Sequence, residues 1–228
     1  MCIRDRISGI EVSCAWRGRG IHILGLNIDE TNSVLLEFIR AQKQARDARA
    51  TTISERLEKV GIPGALAAAQ KLAGGGIEGK GTVGRPHFAQ FLVDQGHVSS
   101  MNAAFKQYLG NGKLGDVKSV WPTIATAVEV ISAAGGLAVV AHPLKYKLTR
   151  TKVCELLNDF TEWGGHGVEV ISGKQTDQET RDLSRMAARF KLLSSCGSDF
   201  HAPGQPWQAL GSCGDLPENG KPIWGGFD

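Results

Sequence analysis

The sequence has few cysteines, little net charge and no long hydrophobic run, and each shortage excludes a class of protein. Its 228 residues include only five cysteines, which are widely scattered and form no Cys-x-x-Cys pair. Neither a disulfide framework nor a structural zinc knuckle is therefore predicted. The net charge of +3 is too small to indicate nucleic-acid binding by itself, so an anionic substrate needs positive charge that is placed locally.

Membrane and export signals are also missing. No stretch approaches the roughly 18 uninterrupted apolar residues of a membrane span, and the N-terminus lacks the apolar core of a signal peptide. The hydrophobic share of 42% is ordinary for a globular protein. We therefore predict a cytoplasmic protein in a reducing compartment with no membrane association, and the sequence indicates no particular protein partner.

Short β-branched runs and helical periods follow one another unevenly along the chain. Two strands, 10–14 and 21–28, are joined by a Gly/Arg turn. In the C-terminal half, helices alternate with apolar strands near 136–141, 167–171 and 192–196, which is typical of parallel α/β architecture and of a β/α barrel. A long helical block interrupts this rhythm. The predicted domains are a first barrel segment at 1–32, an inserted helical domain at 33–122 and a second barrel segment at 123–228.

Ionisable side chains stand just beyond two of these strands. His142 follows one strand directly, and Asp199 and His201 follow the last strand after a Gly-Ser pair. Parallel α/β barrels build their active sites at this end of the strands. A spacing of two also puts Asp199 and His201 on the same face of an extended segment. Each residue alone has an ordinary explanation as a cap or turn residue, but several strands that deliver such residues together favour a site.

Glu11 and His22 lie inside apolar strands, where a carboxylate and an imidazole are costly to bury unless they are paired or bind a metal. A single strand histidine is more often a hydrogen-bonded core residue than a ligand. Carboxylate and imidazole donors without cysteine suit Mn²⁺, Fe²⁺ or Zn²⁺ better than Mg²⁺ or Ca²⁺ alone. His97 and His166 lack the pattern and are interpreted as surface residues. The predicted metal ligands are Glu11, His22, His142, Asp199 and His201.

A candidate anion site lies in the helical block. Arg85 and His87 flank Pro86 at a predicted helix start, where free N–H groups and the helix dipole favour anions. Arginine offers a bidentate contact to phosphate, and Lys113, which follows a glycine, is a further candidate. Charged loop residues usually face water, so both interpretations stay open on these residues alone.

Several segments together resemble the PHP (polymerase and histidinol phosphatase) domain family. They are GIEVS at 9–13, IHILG at 21–25, AHP at 141–143 and GSDFH at 197–201. From about residue 7 to residue 207 the chain further resembles the branch that hydrolyses 3′,5′-nucleoside bisphosphates and trims RNA from its 5′ end. Stretches similar to that branch's helical insertion are ERLEK at 55–59, IPGA at 62–65, GRPHFA at 84–89, and YL at 108–109 through GK at 112–113.

The resemblance implies an α/β fold, namely a distorted PHP-type β/α barrel with an inserted small helical domain, incomplete because its first strands are missing. It also implies up to three divalent ions, commonly manganese, with iron or zinc as alternatives. In that arrangement Glu11 bridges two ions, His22 and His142 complete one, Asp199 binds another and His201 serves the third.

The implied activity is metal-dependent hydrolysis of the 3′-phosphate of 3′,5′-bisphosphonucleotides, or of short 5′-phosphorylated RNA. Hydroxide derived from metal-bound water attacks phosphorus in line. The catalytic candidates are His142, His201 and Asp199, with the two histidines available to assist proton transfer. The substrate-binding candidates are Arg85, His87 and Lys113.

One departure from the family pattern lies at the start of the chain. The family begins with a His-x-His motif, an aspartate and a further histidine, and nothing before Glu11 supplies them. We therefore expect an N-terminally truncated fragment that is inactive by itself. Two alternatives stay open. One is a histidinol-phosphatase-like small phosphomonoesterase, against which the helical insertion argues, and the other is a non-catalytic remnant that binds nucleotides or partners. A three-ion enzyme holds more than one equivalent of Mn²⁺, whereas a remnant holds little or none.

Overall fold

The computed structural model describes residues 6–74, 81–117, 121–201 and 208–227. The chain divides into two compact units. The first combines Met1–Phe38 with Trp121–Asp228, and the second is Ile39–Val120. Within the described ranges, no helix combines the length and the apolar character that crossing a membrane requires.

The first unit contains one five-stranded sheet in the order β1-β2-β3-β4-β5. Pairing is antiparallel from β1 through β2 to β3, and parallel from β3 through β4 to β5. The strands are β1 (Gly9–Trp16), β2 (Arg19–Leu26), β3 (Leu137–Val140), β4 (Gly167–Ser172) and β5 (Leu193–Gly197).

The predicted α/β class is confirmed, but the sheet is mixed rather than parallel throughout. Arg17 and Gly18 both adopt positive φ, at 47° and 78°, which is the conformation of a two-residue hairpin turn. So short a turn can join only antiparallel strands. Among the described residues the sheet is open, with β1 and β5 at its edges. Closure into a barrel stays a prediction.

Helices make up most of the remaining ordered chain. They are α1 (Ser33–Glu58), α2 (Ala65–Ala73), α3 (Arg85–Asp94), α4 (Met101–Ala104), α5 (Ile124–Ala133), α6 (Arg150–Glu162) and α7 (Asp177–Arg189). A π-helical turn, Phe105–Leu109, continues α4. Two short 3₁₀ turns cover Pro143–Tyr146 and Ile223–Gly226.

Threonine hydroxyls begin the three helices of the C-terminal half. Thr123, Thr149 and Thr176 each accept a hydrogen bond from the backbone N–H three residues later, which satisfies a donor that the first helical turn leaves unpaired. The core of this unit includes the fully buried side chains of Ile21 and Phe160. This packing fixes the sheet, and with it the ends of the strands.

The second unit has a separate core. Leu57 of α1 packs with Phe88 and Leu92 of α3 and with Leu109 at the end of the π-helical turn, and all four are fully buried. After Leu109 the chain continues through an irregular loop that reaches residue 117. This loop and the start of α3 carry the predicted substrate-binding residues.

Candidate metal centre

The hairpin of β1 and β2 brings Glu11 and His22 together on its polar face. Val12 and Cys14 alternate with Glu11 and point into the core, as Ile21 and Ile23 do beside His22. Because Glu11 pairs with Leu24, two residues from His22, the two side chains are diagonal neighbours. His22 Nδ1 lies 2.5 Å from Glu11 Oε1.

His142 reaches the same carboxylate from the end of β3. Its Nε2 lies 3.0 Å from Glu11 Oε1, and the residue is only 7% exposed. The backbone of His142 adopts φ 27° and ψ 59°, a conformation that costs free energy for any residue but glycine. Its N–H donates to Glu169 Oε2 at 2.6 Å, which helps hold that conformation. Strained backbone of this kind is typical of functional sites.

Aromatic rings fix the position of both histidines. Tyr146 packs edge-on against the His142 ring, with 5.3 Å between the ring centroids, and the ring of His22 lies 5.1 Å from that of His142. The Tyr146 hydroxyl accepts the backbone N–H of His22 at 2.8 Å. His142 Nδ1 is buried, and within the described ranges it has no hydrogen-bond partner.

Asp199 and His201 approach from the loop that follows β5. Asp199 also has positive φ, at 54°, and its side chain is only 9% exposed. Lys145 Nζ forms an ion pair with Asp199 Oδ2, and Gln208 Nε2 donates to the same oxygen at 2.7 Å. His201 is 63% exposed, with Nδ1 3.6 Å from Asp199 Oδ1.

The five predicted ligands therefore meet around one carboxylate. Potential ligand atoms of Glu11, His22 and His142 lie within 4.8 Å of one another, and those of Glu11, Asp199 and His201 do the same. Glu11 belongs to both groups. A carboxylate has two oxygens, so this position allows it to serve two adjacent ions.

Opposing electrostatic effects set the charges of the two carboxyl groups at the centre. Burial raises the pKa of Glu11, but hydrogen bonds from His142 and His22 outweigh burial and hold that pKa well below its ordinary value. Burial raises the pKa of Glu169 more than the His142 backbone hydrogen bond lowers it. Glu11 is therefore ionised at neutral pH and ready to bind a cation, whereas burial makes Glu169 easier to protonate than an ordinary glutamate.

The donor set fits a divalent transition ion. One carboxylate oxygen lies between two imidazole nitrogens, an arrangement in which a cation can satisfy all three lone pairs at once. Lys145 supplies a positive charge beside Asp199, and burial lowers the pKa of that lysine. The two carboxyl groups and the three histidines together form a donor set of the kind that divalent transition ions prefer.

Sequence reasoning missed three residues of this centre. Glu169 lies in the apolar strand β4 and is 7% exposed, so the rule that identified Glu11 also applies to it. Lys145 and Tyr146 belong to the 3₁₀ turn after His142, and neither shows a pattern in the sequence that marks it as part of a site.

The predicted substrate-binding residues lie in the second unit. Arg85 Nη1 donates to the carbonyl of Leu109 at 3.2 Å. His87 Nδ1 accepts the backbone N–H of Gly84 at 2.9 Å, so its ring caps the start of α3. Lys113 is exposed.

Of the two histidines interpreted as surface residues, His97 is exposed as predicted, whereas His166 is exposed only in part. His166 is partly buried, and its Nδ1 accepts the backbone N–H of Ala138 at 3.0 Å. His166 directly precedes β4, and its ring accepts a backbone N–H of the neighbouring strand β3.

Curated relatives cover nearly all of the chain, although no family model matches it. A 5′-3′ exoribonuclease from Haemophilus influenzae is 45% identical over 223 residues, which are 98% of this chain and 79% of the relative. A 3′,5′-nucleoside bisphosphate phosphatase from Chromobacterium violaceum is 38% identical over 218 residues, which are 96% of this chain and 75% of the relative.

Solved structures share the fold. An amidohydrolase from Chromobacterium violaceum, solved with bound sulfate and no metal, has a TM-score of 0.84 at 38% identity. The match covers 96% of this chain and 74% of the amidohydrolase chain. A protein from Bifidobacterium adolescentis that is provisionally classed as a metal-dependent phosphoesterase has a TM-score of 0.74 at 25% identity. That match covers 95% of this chain and 73% of the other.

Proposed function

Since this chain belongs to the PHP-type phosphoesterase family, in the branch of 5′-3′ exoribonucleases and 3′,5′-nucleoside bisphosphate phosphatases, we propose that its metal centre hydrolyses phosphate esters. The proposed substrates are 3′,5′-bisphosphonucleotides, which lose the 3′-phosphate, and short 5′-phosphorylated RNA. The observation that carries the proposal is the convergence of two potential ligand groups on Glu11.

We propose manganese as the metal, with iron or zinc as alternatives and with up to three ions at full occupancy. Glu11, His22 and His142 form one ligand group, and Glu11, Asp199 and His201 form the other. Bound ions of this kind lower the pKa of water and neutralise the charge that develops on phosphoryl oxygens.

The chain's own residues prepare the centre for this chemistry. Glu169 holds the His142 peptide in its strained conformation, and Tyr146 holds the His22 backbone. Lys145 places positive charge where phosphoryl oxygens approach Asp199. We propose that His201 donates a proton to the leaving oxygen, because its side chain is the most exposed of the centre.

His142 and Asp199 complete the proposed catalytic set. The two residues face Glu11 from different strand ends, His142 through its ring and Asp199 as a fellow member of a ligand group. Their role is to fix the reacting groups in position, which is a large part of catalysis in phosphoryl transfer.

Arg85, His87 and Lys113 are proposed to bind a second phosphate of the substrate. The bond to Leu109 uses one of the five N–H groups of the Arg85 guanidinium. His87 Nε2 lies opposite the nitrogen that caps α3 and is the ring atom suited to an anion.

The test is phosphate release from adenosine 3′,5′-bisphosphate with Mn²⁺ and with EDTA. It compares this chain with the same chain fused at its N-terminus to a segment that carries the family's His-x-His motif. We expect the extended chain to release phosphate in the presence of Mn²⁺, and we expect Glu11→Gln in that chain to abolish the release. If only the extended chain releases phosphate, the result supports the expected inactivity of the shorter chain. Faster hydrolysis of histidinol phosphate favours the alternative phosphomonoesterase, and release that EDTA leaves unchanged contradicts the proposal.

A further inference from the structure

Three arginines cluster in the second unit. Arg46 and Arg49 lie one turn apart on α1, and Arg85 is the first residue of α3. All three are partly buried. The Arg49 guanidinium is repelled by Arg85 and by Arg46 and is attracted by the carboxylate of Asp116. Two separate helices thus bring like charges close to Arg49, which the Asp116 carboxylate also attracts.

Backbone contacts hold these helices against the loop that carries Asp116. Arg85 Nη1 donates to the Leu109 carbonyl at 3.2 Å, where the loop begins. Arg56, two turns beyond Arg49 on α1, donates from Nη1 to the Leu114 carbonyl at 3.0 Å. Arginines from α3 and α1 therefore anchor the loop at its start and near its middle.

Within the loop, Asp116 binds a backbone donor that an external anion can also use. Its Oδ2 accepts the N–H of Gly112 at 2.8 Å. Gly112 has φ 70°, a conformation that lets successive loop N–H groups point toward one anion. Asp116 thus accepts a loop N–H group and attracts the Arg49 guanidinium, and a phosphate oxygen can use both of these partners.

The charge of the cluster points to a ligand with more than one negative charge. Arginine stays protonated in proteins, so the three guanidinium groups repel one another at every physiological pH. Burial and the two like charges lower the pKa of Arg49, whereas Asp116 alone acts in the opposite direction on it. A phosphate group carries nearly two charges and accepts the planar guanidinium fork in bidentate geometry.

We propose that Arg46 and Arg49 join Arg85 in one phosphate-binding site, in which Asp116 takes the place of the phosphate when no substrate is bound. The inference rests on the proposed function and extends it by assigning a substrate role to the α1 arginines. The bound group is the second phosphate of a bisphosphonucleotide or a backbone phosphate of short RNA, which share the same chemistry.

The test is calorimetric binding to the metal-free protein in EDTA, so that neither metal binding nor hydrolysis contributes. Adenosine 3′,5′-bisphosphate and a 5′-phosphorylated tetraribonucleotide are the probes, and adenosine is the uncharged control. Arg49→Gln is expected to weaken binding by about 10- to 100-fold, as loss of a hydrogen bond between charged groups implies. Arg40→Gln, which removes an exposed arginine from the same helix, is expected to leave binding unchanged.

A second variant changes affinity in the opposite direction. Asp116→Asn retains an oxygen that can accept the Gly112 N–H but removes the competing negative charge. Binding is expected to tighten by about three- to tenfold. A gain in affinity cannot arise from misfolding, so this variant keeps the test decisive even if Arg49→Gln proves unstable.

The outcomes separate this inference from the proposed function. If Arg49→Gln weakens binding of the bisphosphonucleotide, the site is assigned to a nucleotide phosphate. If Arg49→Gln weakens binding of the tetraribonucleotide alone, the site is assigned to a backbone phosphate. Unchanged binding in Arg49→Gln and Asp116→Asn, or no binding by the unmodified protein, overturns the inference whether or not hydrolysis occurs. Altered binding without Mn²⁺-dependent hydrolysis leaves the inference standing and contradicts only the proposed function.

Discussion

Glu11 Oε1 lies 3.0 Å from His142 Nε2, although the two residues are separated by 131 positions in the sequence. The contact depends on the antiparallel pairing of β2 with β3, which sets Ile23 opposite Val140. The centre therefore forms only when both segments of the first unit have folded together. Metal binding and the stability of this sheet are expected to be coupled for the same reason.

Glu11→Gln is expected to abolish stabilisation by Mn²⁺, because it removes the charge that both ligand groups share. A ligand at one hundred times its dissociation constant stabilises the folded state by about 2.7 kcal/mol. The measurement is the rise in thermal unfolding midpoint when Mn²⁺ is added. Glu37→Gln, at an exposed position of α1, is the matched control and should retain the full rise. An equal rise in both variants argues against Glu11 as a ligand.

Glu169 is expected to act by positioning His142. Glu169→Ala leaves the buried His142 N–H without its acceptor, which costs about 1–3 kcal/mol in the free energy of unfolding. Glu169→Gln retains an acceptor oxygen and should cost less. Urea denaturation measures the cost, and Mn²⁺ titration should show about 10- to 100-fold weaker binding in the alanine variant. Equal losses in the two variants contradict this role.

His166 is expected to make the fold sensitive to acid. Burial lowers its pKa in the folded state, so the unfolded chain binds the proton first as the pH falls. The stabilising contribution is complete above about pH 6.5, the ordinary histidine value, and is lost as the pH falls from there through the lowered pKa of the folded state. Protonation also removes the Nδ1 lone pair that accepts the Ala138 N–H.

His166→Asn provides the comparison, because its side-chain oxygen can accept the same hydrogen bond and does not titrate. The measurement is the free energy of unfolding between pH 7.5 and pH 5. The loss of stability over this range is expected to be smaller in the variant than in the unmodified protein. Identical pH dependence in the two proteins would falsify the assignment.

Gly25→Ala is expected to separate stability from metal binding. A Cβ atom at this position meets Ile131 Cγ1 at 3.0 Å and Ile10 Cγ2 at 3.2 Å, closer than ordinary packing allows. Overpacking of this kind costs about 1–3 kcal/mol. Gly25 faces the core, opposite to the His22 side of β2, so Mn²⁺ affinity should change little while the urea midpoint falls. A large drop in affinity indicates that core packing and the centre are not separable.

Arg85→Ala is expected to raise KM for adenosine 3′,5′-bisphosphate by about 10- to 100-fold in the active enzyme, with a smaller effect on kcat. The reason is that a phosphate remote from the reacting bond contributes mainly to binding. KM for a substrate with a single phosphate should stay nearly constant and serves as the control. An unchanged KM for the bisphosphate removes Arg85 from the substrate site.

The residues that meet around Glu11 could be predicted from the sequence because polar groups within or beside apolar strands form a recognisable pattern. Glu11 and His22 stand out within apolar strands, and His142 and Asp199 stand out at strand ends. Glu169 obeys the same rule and was overlooked, although its strand was predicted correctly. The burial of a polar residue in or beside an apolar strand could therefore be recognised from the sequence at each of these positions.

Other features could not be obtained from the sequence. Lys145 and Gln208 contact Asp199 from a turn and a loop, where no periodicity predicts the direction of a side chain. An apolar strand has the same composition whether its neighbour is parallel or antiparallel, so the strand near 136–141 gave no sign that β3 pairs antiparallel with β2. Long-range pairing decides such features, and a single sequence contains no direct signal for it.

Anomalous diffraction from crystals of the protein grown with Mn²⁺ tests the central claim most directly. We predict a strong manganese peak within bonding distance of the Glu11 carboxylate and of the His22 and His142 rings, which is lost in crystals of Glu11→Gln. A manganese peak elsewhere, or none at these residues in Mn²⁺-saturated crystals, contradicts a metal centre built around Glu11.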